Sequence, residues 1–368
     1  MIYCANPKSQ YLSYEAEINE GIFKVLNGNQ YILGEQVKKL ERSFADFIGV
    51  SSAIGVANGT DAIEIALRAM GVGNGDKVIT VSHSAVATIA GIEATGASAV
   101  VIDLENDFFT MNPDLLNEAF SDEVKAVVAV HIYGQSSQID KIKDFCCEKG
   151  IYLIEDVAQA HGAKFKNSRL GSIGDVGCYS CYPTKNLGAI GDGGLITTNN
   201  QDLAERMIMI REYGWKERIS TIKGRNSRLD EIQAAVLNVK LDNLDHDNER
   251  RANIAKVYDQ LNSKLFQTPI RRGGCSHVFH LYVCKTKYRD ELISFLNKND
   301  IYPGIHYSKP IHLQPAYLGT IELGSAMTIT ETICNEIISL PMYPELTIAE
   351  AEKVAENIQL FFKIYENC

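Results

Sequence analysis

The chain has 368 residues, 45% of them hydrophobic and 22% charged, which is the composition of an ordinary globular protein with one large or two moderate domains. Its formal net charge of −10 argues against unspecific nucleic-acid binding, which needs a basic face. No stretch approaches the roughly 20 apolar residues of a membrane helix, and the first residues do not resemble a signal peptide. The nine scattered cysteines are best read as reduced thiols, so we expect a cytoplasmic protein.

Predicted strands and helices alternate through the first two thirds of the chain. Short apolar runs bounded by turn residues predict strands at 53–57, 77–81, 99–103, 125–131, 151–154 and 193–198. Hydrophobic residues at helical spacing, with glycine or polar residues at the ends, predict helices at 35–48, 61–70, 86–96, 139–148 and 202–213. This alternation indicates right-handed βαβ units and a mainly parallel sheet.

The last third of the chain indicates a second, smaller unit. Two helices are predicted at 229–240 and 248–261, with a bend in the charged segment Asp242–Asp247 between them. We place the domain boundary at that bend, which gives a large α/β domain at 1–245 and a small α/β domain at 246–368. The small domain is predicted to contain a strand at 280–284, a helix at 289–298 and a final helix opened by the capping box Thr347–Glu350.

A lysine among turn-forming residues is the most informative single residue. Lys185 follows a short strand-like run, and a lysine amine condenses with an aldehyde when it is partly neutral and held in place. Upstream, the apolar run 151–154 carries Glu155 and Asp156 to the carboxyl end of a strand, where ligands of parallel α/β sheets collect. A carboxylate, a lysine and intervening hydroxyl and backbone donors suit pyridoxal 5′-phosphate, which needs a Schiff-base lysine, an acid facing its ring nitrogen and a phosphate cradle.

The junction between the first buried strand and its helix is a candidate phosphate site. Gly59, Thr60 and Asp61 open that helix, where free N–H groups and the positive end of the helix dipole favour an anion. Thr60 or Asp61 could alternatively act as a plain helix N-cap. Together with Lys185, phosphate binding is the better interpretation.

The pair Cys178 and Cys181 has the spacing of a zinc or redox site, but we reject that interpretation. No second pair of ligands at suitable spacing is present in the sequence. The local pattern suits a strand that would point the two cysteines to opposite faces. No metal site is therefore predicted.

Several blocks of residues carry a resemblance to a known family. In chain order they are Gly59–Ala62, Glu155–Gly162, Ser180–Asn186, Gly191–Gly194 and Asn226–Asp230. Over nearly the whole chain they closely resemble the nucleotide-sugar aminotransferases of the DegT/DnrJ/EryC1/StrS family. The resemblance implies the type I fold of pyridoxal-phosphate aminotransferases, with a mainly parallel, seven-stranded-type sheet in a large domain and a smaller C-terminal α/β domain.

The resemblance also implies a role for each matching residue at the cofactor. Asp156 would face the ring nitrogen, Lys185 would form the Schiff base and then move protons as a general acid and base, and Gln159 would face the ring edge. The residues that would bind the phosphate are Gly59, Thr60, Asp61 and Ser180, with Asn226 reaching it from the second chain of a homodimer with shared active sites.

The ring-stacking and sugar-binding residues are less determined. Several relatives have an aromatic residue where Ala85 stands, so His83 is either a substitute that stacks on the ring or a packed, hydrogen-bonded loop residue. On the sugar side the resemblance implicates Tyr182, His306, Tyr307 and Lys216. For His306 and Tyr307, packing with a backbone hydrogen bond is the alternative.

The resemblance implies amino transfer from L-glutamate to a keto sugar in deoxyaminosugar biosynthesis. The motifs Tyr182–Gly188 and His161–Ala163 are most similar to those of enzymes that act on dTDP-linked 3-keto-6-deoxyhexoses. Enzymes acting on 4-keto or UDP-linked sugars are the alternative. A sugar dehydratase would have histidine in place of Lys185, and a DNA-binding regulator is disfavoured by the acidic net charge.

Overall fold

The structure is a computed structural model that describes residues 1–261 and 263–366. The helices are α1 (Pro7–Ser13), α2 (Glu15–Leu26), α3 (Glu35–Ile48), α4 (Gly59–Ala69), α5 (Val86–Glu93), α6 (Leu116–Ala119), α7 (Ile139–Lys149), α8 (Gln201–Arg211), α9 (Glu231–Tyr258), α10 (Arg289–Lys298), α11 (Thr328–Glu336) and α12 (Ile348–Glu366). The strands are β1 (Ile2–Tyr3), β2 (Ser52–Val56), β3 (Lys77–Val81), β4 (Ser98–Ile102), β5 (Val124–Val130), β6 (Tyr152–Asp156), β7 (Lys164–Phe165), β8 (Ser168–Arg169), β9 (Val176–Ser180), β10 (Gly194–Thr198), β11 (Trp215–Lys216), β12 (Ile219–Ser220), β13 (Tyr282–Lys285), β14 (Ile301–Tyr302), β15 (Glu322–Leu323) and β16 (Ile337–Leu340).

One large sheet organises the molecule, in the strand order β15-β4-β3-β5-β6-β9-β10-β2. Neighbours are parallel from β15 to β9, whereas β10 is antiparallel to both β9 and β2. The predicted α/β class and mainly parallel sheet are therefore confirmed. The sheet has an eighth, two-residue edge strand beyond the seven expected, and this strand, β15, comes from the segment assigned to the small domain.

Alternate residues of the central strands pack into two different cores. Val101 and Val128 face a core that includes α4, α5 and α8, whereas Val100 and Val127 face a core that includes α6 and α7. Both faces of the sheet are thus covered, which is why its strands are continuous apolar runs. Each fully buried valine contributes roughly 1.5–3 kcal/mol.

The chain after α9 forms a smaller packed unit that also includes the N-terminus. Strand β13 pairs antiparallel with β16, and β1 pairs in parallel with β14. Ile2 packs with buried residues between Ile254 and Phe362. The capping box at the start of α12 is confirmed, because Thr347 Oγ1 accepts from the Glu350 N–H and the Glu350 carboxylate accepts from the Thr347 N–H.

The bend predicted at Asp242–Asp247 is wrong, because α9 runs without interruption through this segment. Leu241 and Leu244 are buried and maintain the helical spacing of the apolar side, while Asp242 and Asp245 are exposed. Asp242 and Asp245 therefore mark the solvent face of one helix rather than a break, whereas Asp247 is buried and accepts a hydrogen bond from the Tyr14 hydroxyl at 2.9 Å. The division into domains 1–245 and 246–368 stays a prediction, and its proposed boundary falls inside a continuous helix. No helix within the described ranges is long and apolar enough to span a bilayer.

Candidate active site

A cleft of about 620 Å³ lies where the carboxyl ends of β5, β6 and β9 meet the start of α4. Residues singled out in the sequence line much of it: Gly59, Thr60, Asp61, Asp156, Gln159, Ser180, Tyr182 and Lys185. The strand-end location is the one expected for a ligand in a parallel α/β sheet.

Lys185 and Asp156 form the polar centre of this cleft. Burial lowers the pKa of the Lys185 amine to about 8, although the charge of Asp156 acts in the opposite direction. Burial raises the pKa of Asp156, opposed by the hydroxyl of Thr88, the N–H of Ala158 and the charge of Lys185. The two Asp156 oxygens accept these bonds at 2.9 Å from Thr88 Oγ1 and 3.1 Å from Ala158 N. The carboxylate is thus fixed, and the amine is partly neutral near physiological pH.

The neighbouring acid, Glu155, has a different task. It is fully buried and accepts bonds from the N–H groups of Gly171, Ile173 and Gly174 and from His131 Nε2 at 3.1 Å. Side chains alternate along a strand, so Glu155 points away from the face that Asp156 serves. Glu155 stabilises the loop before β9, while Asp156 remains available to the cleft.

The start of α4 and the end of β9 form the anion-binding end of the cleft. Asn58, rather than Thr60 or Asp61, is the N-cap, because its side chain accepts from the Asp61 N–H at 2.8 Å. A Cβ on Gly59 would lie 2.6 Å from the Cβ of Ser180, so only glycine allows the helix to approach that serine. The helix N-terminus and the Ser180 hydroxyl therefore meet, as a phosphate cradle requires.

Two buried carboxylates near this cradle are offset by an arginine. Arg225 Nη1 lies 3.2 Å from Asp61 Oδ1 and is also hydrogen-bonded to Glu64. Glu64 receives a second bond, at 2.7 Å, from Arg68. The arginines reduce the repulsion that Asp61 and Glu64 would exert on a dianion.

These observations fit pyridoxal phosphate. The cleft offers a partly neutral lysine amine, a fixed carboxylate, and a cradle in which a helix N-terminus and a hydroxyl converge. Its size of about 620 Å³ lies within the range of small-molecule sites.

Gln159 connects the cleft to the predicted sugar-side residues. Its Nε2 donates to the Tyr307 hydroxyl at 3.0 Å, and its Oε1 accepts from the Tyr133 N–H at 2.8 Å. The Tyr133 hydroxyl donates to the His306 carbonyl, and His306 Nδ1 lies 2.8 Å from Ser339 Oγ. Burial, with the charge of Lys185, lowers the pKa of His306 to about 4, so its imidazole is neutral. His306 and Tyr307 therefore lie beside the cleft, and their contact with a sugar stays a prediction.

His83 does not line the cleft. It is 1% exposed, its Nε2 lies 2.5 Å from the Tyr133 hydroxyl, and its Nδ1 lies 3.4 Å from Cys334 Sγ. The structure therefore corresponds to the packed, hydrogen-bonded alternative, and the placement of His83 against the cofactor ring is wrong. Ala85, in contrast, lines the cleft.

Two further predicted residues, Asn226 and Lys216, also lie outside the cleft of this chain. Asn226 is exposed and forms a bridge with Glu212, and Lys216 is exposed in the short hairpin of β11 and β12. Both belong to the segment that follows α8. Their proposed roles require a second chain.

Sequence reasoning missed the support of Asp156 by Thr88 and the pairing of Arg225 with Asp61. Thr88 is on α5, 68 residues from Asp156, and its hydroxyl also lies 2.8 Å from Ser84 Oγ. A hydroxyl in the first turn of a helix that follows a predicted strand end was the available signal. Nothing in the local sequence around Arg225 indicated its partner on α4.

The two cysteines of the C-x-x-C pair face opposite sides of the sheet, as predicted. Cys178 packs in the core that contains α4, whereas Cys181 packs with α3 and α9. Within residues 1–261 and 263–366, no group of three or more His, Cys, Asp or Glu side chains is arranged to hold a metal ion.

Comparison with known proteins agrees with this geometry. Residues 13–359 match the model of the DegT/DnrJ/EryC1/StrS aminotransferase family. A dTDP-3-amino-3,4,6-trideoxy-α-D-glucose transaminase from Streptomyces venezuelae is 37% identical, with 96% of this chain and 94% of that protein covered. A dTDP-3-amino-3,6-dideoxy-α-D-galactopyranose transaminase from Aneurinibacillus thermoaerophilus is 40% identical, with 95% and 96% covered.

A third relative and a solved structure complete the comparison. A protein from Geobacillus stearothermophilus named pleiotropic regulatory protein is 39% identical, with 96% of both chains covered. The crystal structure of S. venezuelae DesV in complex with a ketimine intermediate superposes with a TM-score of 0.95 at 36% identity, covering 98% of both chains. The chain therefore belongs to the DegT/DnrJ/EryC1/StrS aminotransferase family and is a pyridoxal-phosphate-dependent transaminase.

Proposed function

We propose that this transaminase transfers an amino group from L-glutamate to a keto carbon, C3, of a dTDP-linked 6-deoxyhexose. The observation that carries the proposal is the near full-length similarity, at 37–40% identity, to two transaminases named for dTDP-3-amino sugars. The chain shares its fold with the structure of DesV at a TM-score of 0.95. The proposal includes a cytoplasmic location, which the free thiols of the described cysteines support.

The cleft residues divide the work of such a reaction. Pyridoxal phosphate supplies an electron sink for the bond broken at the amino-acid Cα. Asp156 would hold a positive charge at the ring nitrogen, because a fixed carboxylate with two accepted hydrogen bonds is preorganised for it. Lys185 would bind the cofactor and, with a pKa of about 8, take up and release the proton at the reacting carbon. Thr60, Ser180 and the free N–H groups of α4 would bind the phosphate.

The substrate is tested by incubating the protein with L-glutamate and a panel of dTDP- and UDP-linked 3-keto and 4-keto sugars. We expect amination of the dTDP-linked 3-keto sugar, with NMR placing nitrogen at C3 and mass spectrometry confirming the gain. Faster amination of a UDP-linked sugar would contradict the assignment of dTDP as the nucleotide. A product with nitrogen at C4 would contradict the assignment of C3 as the aminated carbon. The Lys185→Ala protein is the matched control for uncatalysed conversion.

We further propose a homodimer in which Asn226 reaches the phosphate site of the partner. Asn226 is exposed and outside its own cleft, while the adjacent Arg225 ties this segment to α4 through Asp61 and Glu64. Lys216 lies in a hairpin of the same segment and would meet the nucleotide from the same direction.

Mixing two inactive variants tests the shared site. Asn226→Asp adds a negative charge that would repel the phosphate, and Lys185→Ala removes the amine. Heterodimers of the two should recover activity, because one of their two sites keeps both residues. Light scattering should give the mass of two chains, and full activity of a monomer would refute the arrangement.

A further inference from the structure

Helix α9 holds the loop that carries Lys185 through three side chains. The Asn186 side chain donates to Asn248 Oδ1 at 2.7 Å, Lys240 Nζ donates to the Gly188 carbonyl at 2.6 Å, and the Ile190 N–H donates to Gln233 Oε1 at 3.0 Å. Asn186, Gly188 and Ile190 of the loop are thus each hydrogen-bonded to the same helix. The loop joins β9 to β10 and has no regular secondary structure of its own.

The positions of these three side chains, called here the anchor residues, match the geometry of a helix. Gln233, Lys240 and Asn248 are seven and eight residues apart, which is about two turns in each case, so they lie on one side of α9. The contacts run in the opposite order along the loop, so helix and loop are antiparallel. The continuity of α9 through Asp242–Asp247 is what places the third anchor residue in reach.

Lys240 is the least expected of the three. Lys240 is only 2% exposed, and its amine donates a second hydrogen bond to Gln10 Oε1 of α1 at 3.0 Å. Burial lowers its pKa to about 8, with Glu345 and Asp247 acting in the opposite direction. A buried lysine is costly, and a methionine would fill the same volume without that cost. The amine therefore has a role that packing alone does not need.

We propose that Lys240, assisted by Gln233 and Asn248, is a positioning residue that fixes the loop bearing Lys185 and thereby keeps the Lys185 amine in its place in the cleft. The inference rests on the proposed role of Lys185 in binding the cofactor. Lys240 itself bonds to the loop backbone at Gly188, three residues beyond Lys185, and to α1. It therefore acts on the reaction only through the loop.

Lys240→Met tests this in cofactor-free protein, by following the rate at which an amine-selective acylating reagent modifies Lys185 as pH is varied. Mass spectrometry of the Lys185 peptide gives the midpoint, expected at a pH of about 8 in the unaltered protein. A loosened loop exposes the amine to water, so the midpoint should rise toward the ordinary lysine value of 10.5. In the loaded enzyme, kcat for the glutamate half-reaction should fall about 10- to 100-fold, as misplacement of a catalytic group does.

Two further variants keep the result interpretable. Lys256→Met, at an exposed lysine of the same helix, should change neither the midpoint nor kcat. Lys240→Gln retains a donor without the charge and should restore part of both. If Lys240→Met does not fold, Gln233→Ala is the alternative variant. It removes the acceptor of the Ile190 N–H at the half-buried end of the three anchor residues, so it should raise the pH midpoint of Lys185 modification by a smaller amount.

If Lys240→Met lowers Tm but leaves the pH midpoint of Lys185 modification unchanged, Lys240 is a packing residue and the proposal is overturned. Failure of the cofactor assignment gives a different result. In that case borohydride would attach the cofactor to another lysine, while the Lys185 midpoint would still respond to Lys240→Met.

Discussion

Lys185→Ala should abolish transamination, with kcat reduced by about 10⁴-fold or more, because one side chain both binds the cofactor and moves the proton. The amine lies in the cleft with a pKa lowered to about 8, so part of it is neutral and nucleophilic at neutral pH. Stopped-flow spectroscopy with glutamate measures the loss. Borohydride reduction of the unaltered protein should leave a pyridoxyl group on the peptide that contains Lys185.

Lys166→Ala is the control for this experiment. Lys166 is exposed and pairs with Asp140 at 3.2 Å at a distance from the cleft, so its removal should leave both the rate and the labelling unchanged. A pyridoxyl group on a different lysine, or turnover by Lys185→Ala at the unaltered rate, would contradict the assignment.

Asp156→Asn should lower kcat by about 10²–10³-fold while the cofactor still binds, because the fixed negative charge at the ring nitrogen is lost but the shape is kept. The amide can retain both neighbours: its oxygen accepts from the Ala158 N–H, and its nitrogen donates to Thr88 Oγ1, which can then donate to Ser84. Cofactor absorbance measures binding, and the glutamate half-reaction measures the rate.

Glu155, the neighbouring acid, serves as a control that distinguishes the loss of charge at the ring nitrogen from a general loss of stability. Glu155→Gln weakens contacts to three backbone N–H groups and to His131 on the opposite face, so it should lower Tm more than Asp156→Asn does. A loss of activity below tenfold in Asp156→Asn would mean that this carboxylate faces something other than the ring nitrogen.

The regular elements near the site were predictable because each has a strong local signal. The helix at 35–48 and the helix at 289–298 were predicted with the observed bounds, and every strand predicted for the large sheet lies within two residues of its predicted bounds, whereas the edge strand β15 was not predicted. The high proportion of charged residues in Asp242–Asp247 led to the wrong prediction of a bend, because local composition does not show that Leu241 and Leu244 pack against an apolar surface. The burial of these two leucines by the rest of the fold explains why α9 continues through this segment.

Within the cleft, the sequence identified the residues that belong to contiguous motifs. Lys185, Asp156, Gln159 and Ser180 line one cleft as expected. The residues that hold them in place were not predictable, because they come from distant segments: Thr88 on α5 for Asp156, and Lys240 on α9 for the loop of Lys185. For His83, the sequence left two readings, and only the packing around Tyr133 distinguished them.

The contact between Gly59 and Ser180 constrains how this protein can evolve. A methyl group at position 59 would collide with the side chain of Ser180, 121 positions away, so any residue other than glycine at position 59 would require a shift at Ser180. Replacing Ser180 by glycine would remove the contact between the two Cβ atoms, but a Cβ at position 59 would still lie 3.1 Å from the Cα of residue 180, and the hydroxyl would be lost from the anion end of the cleft. Lineages that keep the phosphate site are therefore held to glycine at 59 by sterics alone, whichever sugar they come to use.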